Sequence, residues 1–334
     1  MAERSLDVGE DGGRVVRAPR FWYKGGVASI ALAPLGALWA VGAAIRATRP
    51  GQHADLPVVC VGNIVAGGAG KTPVAISLAR HLPGSQFLTR GYGGREAGPI
   101  QVDLERHGHR QVGDEPLLLA SVAPCWVARD RLAGARAAAE DGATCVIMDD
   151  GYQDPSLIKL VSLLVVDGHV GFGNGRCIPA GPLREPIDRG LERAQAVVLL
   201  GEDRAGVTAK LGSIVVLRAR LEPEIDPGAL RDRRVVAFAG IGRPTKFFQT
   251  LEAKGASLVE TFSFPDHHPY APRDIQRLLA EARTYDAALM TTTKDLVRIP
   301  PAYRDRVEVL GVAVVWEDET ALKRVLAPVL APRR

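Results

Sequence analysis

The chain has 334 residues, a formal charge of +4 and 46% hydrophobic residues, enough to bury two cores without disulfide or metal staples. Its charges form no block or stripe suited to a nucleic-acid backbone, so no nucleic-acid partner is expected. Cys60, Cys125, Cys145 and Cys177 have neither zinc-site spacing nor the density of a secreted disulfide scaffold, which points to a reducing, cytoplasmic setting.

Residues 1–50 read as an N-terminal tail and membrane-contacting helix. Positions 25–45 carry no charge, with Arg14, Arg17, Arg20 and Lys24 before them and Arg46 and Arg49 after. A helix of that length would reach roughly 30 Å, the thickness of a hydrocarbon core. Glycine and alanine dominate it, however, and Pro34 interrupts the middle. No signal-peptide cleavage pattern follows before the folded part begins at Pro57. The stretch therefore reads as an interfacial or shallowly inserted helix, with Phe21, Trp22, Tyr23 and Trp39 favouring the interface. A buried helix packing on the first domain is the alternative.

From residue 57 short apolar runs alternate with helical stretches. Strands are expected over 58–61, 86–89, 125–128, 145–148, 163–166, 196–200 and 214–217, and helices over 72–81, 115–121 and 129–140. This alternation predicts an α/β domain with a mostly parallel sheet covered on both faces, with ligands bound at the strand carboxyl ends. The polar, proline-containing "LEPEIDPGALRDRR" reads as a boundary near residue 228, which divides the chain into 51–228 and 229–334. Beyond it a second, smaller α/β domain is expected: strands over 235–239, 257–262 and 287–291, helices over 246–253 and 272–283, a run at 307–316 and a last helix to about 329.

The strongest local signal is "VVCVGNIVAGGAGKTPVAISLA", a strand running into a glycine-rich loop that opens a helix. In such a P-loop the backbone N–H groups of Gly67, Gly68, Ala69 and Gly70 converge on phosphate oxygens. Lys71 reaches the terminal phosphates, and Thr72 ligates Mg²⁺. The first glycine of the strict pattern is here Val65. Phosphoryl transfer also needs carboxylates, and "CVIMDDGYQ" ends an apolar run on Asp149 and Asp150, as a Walker-B element does; the same letters are good turn chemistry. Asp114 and Glu115, in "VGDEP", precede a helix, where acids are expected for capping alone. Arg90 in "RGYGG" and Arg176 and Arg184 in "GFGNGRCIPAGPLREP" sit in irregular loops, which suit either phosphate clamps or solvated surface. His267 and His268, adjacent in "SFPDHHPY", diverge too much for a two-histidine metal site and by themselves read as surface histidines.

In order along the chain, "VGNIVAGGAGKTP", "RGYGG", "VGDEP", "DDGYQ", "GFGNGRCIPAGPLREP", "AFAGIGRPTKFF", "FPDHHPY" and "TTTKD" resemble the motifs of the tetraacyldisaccharide 4'-kinase family. The resemblance implies an enzyme on the cytoplasmic face of the Gram-negative inner membrane. Its expected reaction moves the γ-phosphate of ATP to the 4'-hydroxyl of a tetraacylated glucosamine disaccharide 1-phosphate, giving lipid IVA, with Mg²⁺ as cofactor.

Carried over residue by residue, the resemblance implies catalytic roles for Lys71, Asp114, Asp150 and His267, with Asp114 as base paired to His267. Thr72, Glu115 and Asp149 become candidate metal contacts, and Gln153 joins the P-loop residues as a nucleotide contact. Asn63, Arg90, Asn174 and Arg184 become candidate substrate contacts. A monomer is expected. Asp154 stands where the family commonly has His, and Thr293 where it has Glu; the first departure leaves a metal-sphere role for Asp154 open. Among rival classes, a GTPase would need an N-K-x-D element, which is absent, and a nucleotide-gated adaptor would not need the additional acids and the histidine.

Overall fold

A computed structural model of the chain describes residues 4–5, 18–226 and 228–331. Arg14 and Arg17, two cations expected ahead of the apolar stretch, lie outside the described residues. A two-residue strand β1 (Arg4–Ser5) is followed by α1 (Phe21–Lys24), α2 (Val27–Ala31) and α3 (Ala33–Ala47). The first half then runs β2 (Val58–Gly62), α4 (Lys71–His81), β3 (Gln86–Thr89), β4 (Ile100–Gln101), α5 (His109–Val112), α6 (Asp114–Ala120), β5 (Cys125–Val127), α7 (Arg131–Glu140), β6 (Val146–Asp149), β7 (Val161–Asp167), α8 (Ile187–Glu192), β8 (Ala196–Leu200) and β9 (Val215–Glu224). The second half runs β10 (Arg234–Ala239), α9 (Pro244–Ala253), β11 (Ser257–Ser263), α10 (Pro272–Thr284), β12 (Ala288–Thr292), α11 (Thr293–Leu296), α12 (Pro301–Arg304), β13 (Glu308–Trp316) and α13 (Glu319–Leu330).

All these strands join one sheet in the order β1-β11-β10-β12-β13-β9-β8-β7-β2-β6-β3-β5-β4. Only β4 with β5 and β9 with β13 pair antiparallel. The halves are thus joined edge to edge through β9 and β13. "LEPE", the start of the polar stretch, is strand as far as Glu224, because pairing to β13 (Leu221 opposite Val314, Glu224 opposite Gly311) satisfies its backbone while its side chains face outward.

In β2, side chains alternate between two cores. Val59 and Val61 pack with Val74, Ala75 and Leu78 of α4, while Val58 and Cys60 pack with Leu132, Ala135 and Ala138 of α7. Burial on both faces explains why β2 reads as an unbroken apolar run. In the second half β10 repeats this: Val236 and Phe238 face Ile275 and Leu278 of α10, and Val235 and Ala237 face Phe247 and Leu251 of α9. The last helix does not stay with the second half. Leu322, Leu326 and Val329 of α13 enter the core around Val161 and Leu163 of β7, so Leu326→Ala is expected to destabilise the first half by about 2–5 kcal/mol.

The apolar N-terminal stretch is not one helix over 25–45. Gly25 and Gly26 separate α1 from α2, and Leu32 forms a turn before α3, which starts with Pro34 in its first turn. Proline cannot donate to the preceding turn, so the helix axis breaks there. At 15 residues α3 spans roughly 22 Å, and among the described residues no helix is long and apolar enough to cross a membrane. One face is docked. The Trp22 indole donates to Pro179 O at 3.0 Å, the Ser29 hydroxyl to Ala180 O at 2.7 Å and the Trp39 indole to Arg184 O at 2.8 Å. Gly36 lies against this loop so closely that a Cβ there would stand 2.9 Å from Cys177 O. The opposite face leaves Val27, Ile30, Leu35, Leu38, Val41 and Ile45 exposed. The docked face is what the buried-helix alternative expects, while the opposite face stays apolar and exposed.

Candidate active site

β2 lies between β6 and β7, at the point where successive connections diverge, so the loop leaving its carboxyl end opens into the crevice where open α/β sheets bind ligands. That loop runs from Asn63 to Gly70. Asn63 is fully buried and its amide donates to Val65 O at 2.7 Å, while Ala66 N–H donates to Pro182 O at 2.8 Å. Gly67 and Gly68 are exposed. Gly70 caps α4 in the left-handed region (φ 83°), and a Cβ there would meet Leu200 at 2.5 Å, so both backbone and space demand glycine.

From the first turn of α4 two side chains reach β6. The Thr72 hydroxyl, nearly buried, donates to Asp149 Oδ2 at 2.9 Å. Lys71 Nζ stands 3.6 Å from Asp150 Oδ1, which also receives Arg184 Nη1 at 3.1 Å. Burial pushes the Asp149 carboxyl up to about 7; Glu115 and Asp150 add to this, while Lys71 and the Thr72 hydroxyl oppose it. Asp149 Oδ1 and Asn63 Oδ1 are buried without a hydrogen-bond partner. An orphaned carboxylate oxygen beside a threonine hydroxyl fits a hard cation. Among the described residues no three His, Cys, Asp or Glu side chains converge to hold a metal alone.

Asp114 opens α6 and meets His267, from the loop after β11, with Oδ2 2.9 Å from Nδ1. That hydrogen bond raises the His267 pKa, and burial opposes it. His267 has φ 61°. Its N–H donates to Gly240 O at 3.2 Å, after β10, so the ring is presented from a turn fixed to the second half. Glu115, the next residue along α6, is close enough to raise the Asp149 carboxyl. Two consecutive residues thus connect the histidine pair to the Thr72–Asp149 pair.

The other expected site residues divide. Gln153 bridges the P-loop root to the loop of Arg184: its amide donates to Asn63 O and Glu185 Oε1, both at 2.9 Å, and its carbonyl accepts from Arg184 at 3.3 Å. Arg90 sits exposed at the carboxyl end of β3. Asn174 is not brought to this cluster. Its amide donates to Phe21 O, Ser29 Oγ and Ala180 O at 2.8–2.9 Å, because an irregular loop must satisfy its own carbonyls and those of the helices docked on it. Asp154 accepts from Ser156 N–H at 3.0 Å and pairs with buried Arg131 at 3.7 Å, contacts that anchor the "DDGYQ" turn.

Sequence reasoning missed a buried group behind the Asp114–His267 pair. Arg298, the residue three beyond the aspartate of "TTTKD", contacts Asp114 Oδ2 through Nε at 3.3 Å and Asp295 through Nη2 at 3.1 Å. An Asp and an Arg three apart on a helical turn was the available signal. Glu185 was missed as well; it is 3% exposed and receives Arg193 Nη2 on both oxygens, at 2.7 and 2.8 Å.

The LpxK family model, described as tetraacyldisaccharide-1-P 4'-kinase, matches residues 28–331. The tetraacyldisaccharide 4'-kinase of Rhodospirillum centenum is 54% identical over 330 residues, 95% of this chain and 97% of that one. That of Rhodospirillum rubrum is 51% identical over 321 residues, 93% and 97% of the two chains. A crystal structure of LpxK from Aquifex aeolicus in complex with ATP aligns at a TM-score of 0.76 and 26% identity, over 91% of this chain and 100% of that one. With its P-loop sheet, its ordered motifs and relatives matched nearly end to end, the chain belongs to the tetraacyldisaccharide-1-P 4'-kinase family.

Proposed function

We propose that the chain transfers the γ-phosphate of ATP to the 4'-hydroxyl of a tetraacylated glucosamine disaccharide 1-phosphate, giving lipid IVA. The names of its relatives and the ATP in the Aquifex aeolicus structure support this reading. Within the chain, the observation that carries it is the adjacency of Asp114, bonded to His267, and Glu115, whose charge is close enough to raise the Asp149 carboxyl. A pair able to take a proton stands one residue from a cluster able to hold Mg²⁺. A binding-only nucleotide switch has no use for that arrangement.

The P-loop backbone from Gly67 to Gly70 and the start of α4 cradle phosphates. Lys71 exchanges Asp150 for the terminal phosphates, and Thr72, Asp149 and Glu115 supply oxygen ligands. Held by these residues, Mg²⁺ would neutralise charge on the transferring group. Asp114 takes the proton of the acceptor hydroxyl while His267 orients the carboxylate. Arg184, at the opening of the crevice, balances developing negative charge.

In this reading the chain works as a monomer on the cytoplasmic face of the inner membrane. The exposed apolar face of α2 and α3 lies in the interface, with Arg20, Lys24, Arg46 and Arg49 towards anionic headgroups. On the docked face of the same helix, the Trp39 bond to Arg184 O ties it to the crevice. Residues 51–228 and 229–334 act as two domains about the connection between β9 and β10. The test is incubation with Mg-ATP and the disaccharide 1-phosphate. One phosphate added at the 4'-position, located by ³¹P NMR and mass, is expected; ATP turnover indifferent to the glycolipid would contradict the reading.

A further inference from the structure

Asp114 Oδ2 is shared. His267 Nδ1 meets it at 2.9 Å, and Arg298 Nε approaches the same oxygen at 3.3 Å. The Arg298 side chain is 2% exposed, a location where a guanidinium is tolerated only with its donors satisfied. Nη2 donates to Asp295 Oδ1 at 3.1 Å, Nη1 to Gly240 O at 3.0 Å and to His268 O at 3.4 Å, and Nε to Lys294 O at 3.1 Å. Asp295, itself fully buried, is held by the Tyr270 hydroxyl at 2.7 Å, Gly240 N–H at 2.9 Å and the Thr292 hydroxyl at 2.6 Å.

We propose that Arg298 is a positioning residue for phosphoryl transfer: locked by Asp295, it sets Asp114 and the His267 loop in one fixed relation and directs Asp114 Oδ1 towards the acceptor. The inference rests on the reading of Asp114 as the base. Two cationic or donor groups converge on Oδ2, which leaves Oδ1 as the oxygen that receives the hydroxyl proton. Arg298 also holds the carbonyl of His268, next to His267, so one planar group controls both members of the pair. Only arginine has the geometry: its rigid fork donates to acceptors on α11 and on the loops after β10 and β11 while its charge lies 3.3 Å from Asp114 of α6, whereas a lysine ammonium makes contact at a single point.

A double-mutant cycle between Arg298 and Asp114, followed by single-turnover transfer of radiolabelled phosphate to the glycolipid, tests this. Arg298→Gln is expected to lower the transfer rate about 10- to 100-fold through misplacement of the base, with KM for ATP within about twofold, and Arg298→Lys to restore only a minor part. In an Asp114→Asn background, Arg298→Gln should add little further loss, since there is no base left to position. Equal losses in both backgrounds, or a folded Arg298→Gln enzyme with the wild-type rate, would overturn the inference while leaving Asp114 as base. An Asp114→Asn enzyme with the wild-type rate would instead remove the base reading itself. If Arg298→Gln fails to fold, the same cycle run with Arg298→Lys, which keeps the buried charge, reads the coupling and decides in the same way.

Discussion

The carboxylate of Asp114 and the imidazole of His267 are 153 positions apart in sequence and 2.9 Å apart in space, one at the start of α6 and the other in a turn anchored to β10. The pair therefore reports on how the second half sits against the first. His267→Ala removes the orienting bond without touching the P-loop. Its kcat is expected to fall about 10- to 100-fold, with KM for ATP within about twofold, as steady-state kinetics with glycolipid in excess would show.

Lys71 tests the nucleotide end of the crevice. Its ammonium now faces Asp150 and follows directly on the P-loop, so Lys71→Ala should cost roughly 10²–10³ in kcat. The protein should stay folded, as the side chain is not part of either core, and circular dichroism checks this. Near-normal turnover would remove the P-loop from the mechanism.

Asp149 gives a pH dependence with a definite sign. Burial holds its folded carboxyl at about 7 against 3.8 for a free one, so the folded state binds the proton more tightly. The favourable contribution is complete below about pH 3.8 and is lost as pH rises through 7. A cation at the site stabilises the ionised form and works against that loss. Mg²⁺ is therefore expected to raise Tm more at pH 8 than at pH 6, and Asp149→Asn should abolish the difference. A Mg²⁺ effect on Tm that is the same at both pH values would contradict the assignment.

The docked and exposed faces of α2 and α3 predict separable effects. Leu38→Glu, on the open face, should weaken sedimentation with anionic vesicles and lower activity on the acylated substrate with little change in Tm. Gly36→Leu, where a Cβ already meets Cys177 O, should instead lower Tm by lifting the helix from the loop. Vesicle binding unaffected by Leu38→Glu would sink the membrane reading of this face.

The P-loop was legible in the sequence because its parts are local: an apolar strand, glycines, then Gly70, Lys71 and Thr72 opening a helix. Asp149 was legible by its place at the end of an apolar run. Asp114 was ambiguous, since a helix start wants an acid whether or not chemistry follows, and only its contact with His267 separates the two explanations. Arg298 was hidden, because its meaning lies in contacts from Gly240 to Asp114 that no window contains. The place of Asn174 was not legible either: its amide holds the N-terminal helices, through contacts some 150 positions back along the chain. The strand character of residues 221–224 was equally hidden, since it depends on β13, some ninety residues further along.

The central claim is that Asp114 and His267, from different halves, act on one proton transfer, and a double-mutant cycle measures it most directly. Asp114→Ala is expected to lower kcat by about 10²–10⁴ and His267→Ala by less, each with ATP affinity nearly unchanged. If the claim holds, the double variant loses little more than Asp114→Ala alone, because the histidine has nothing left to orient. Fully multiplicative losses, or a His267→Ala enzyme with wild-type kcat, would contradict it.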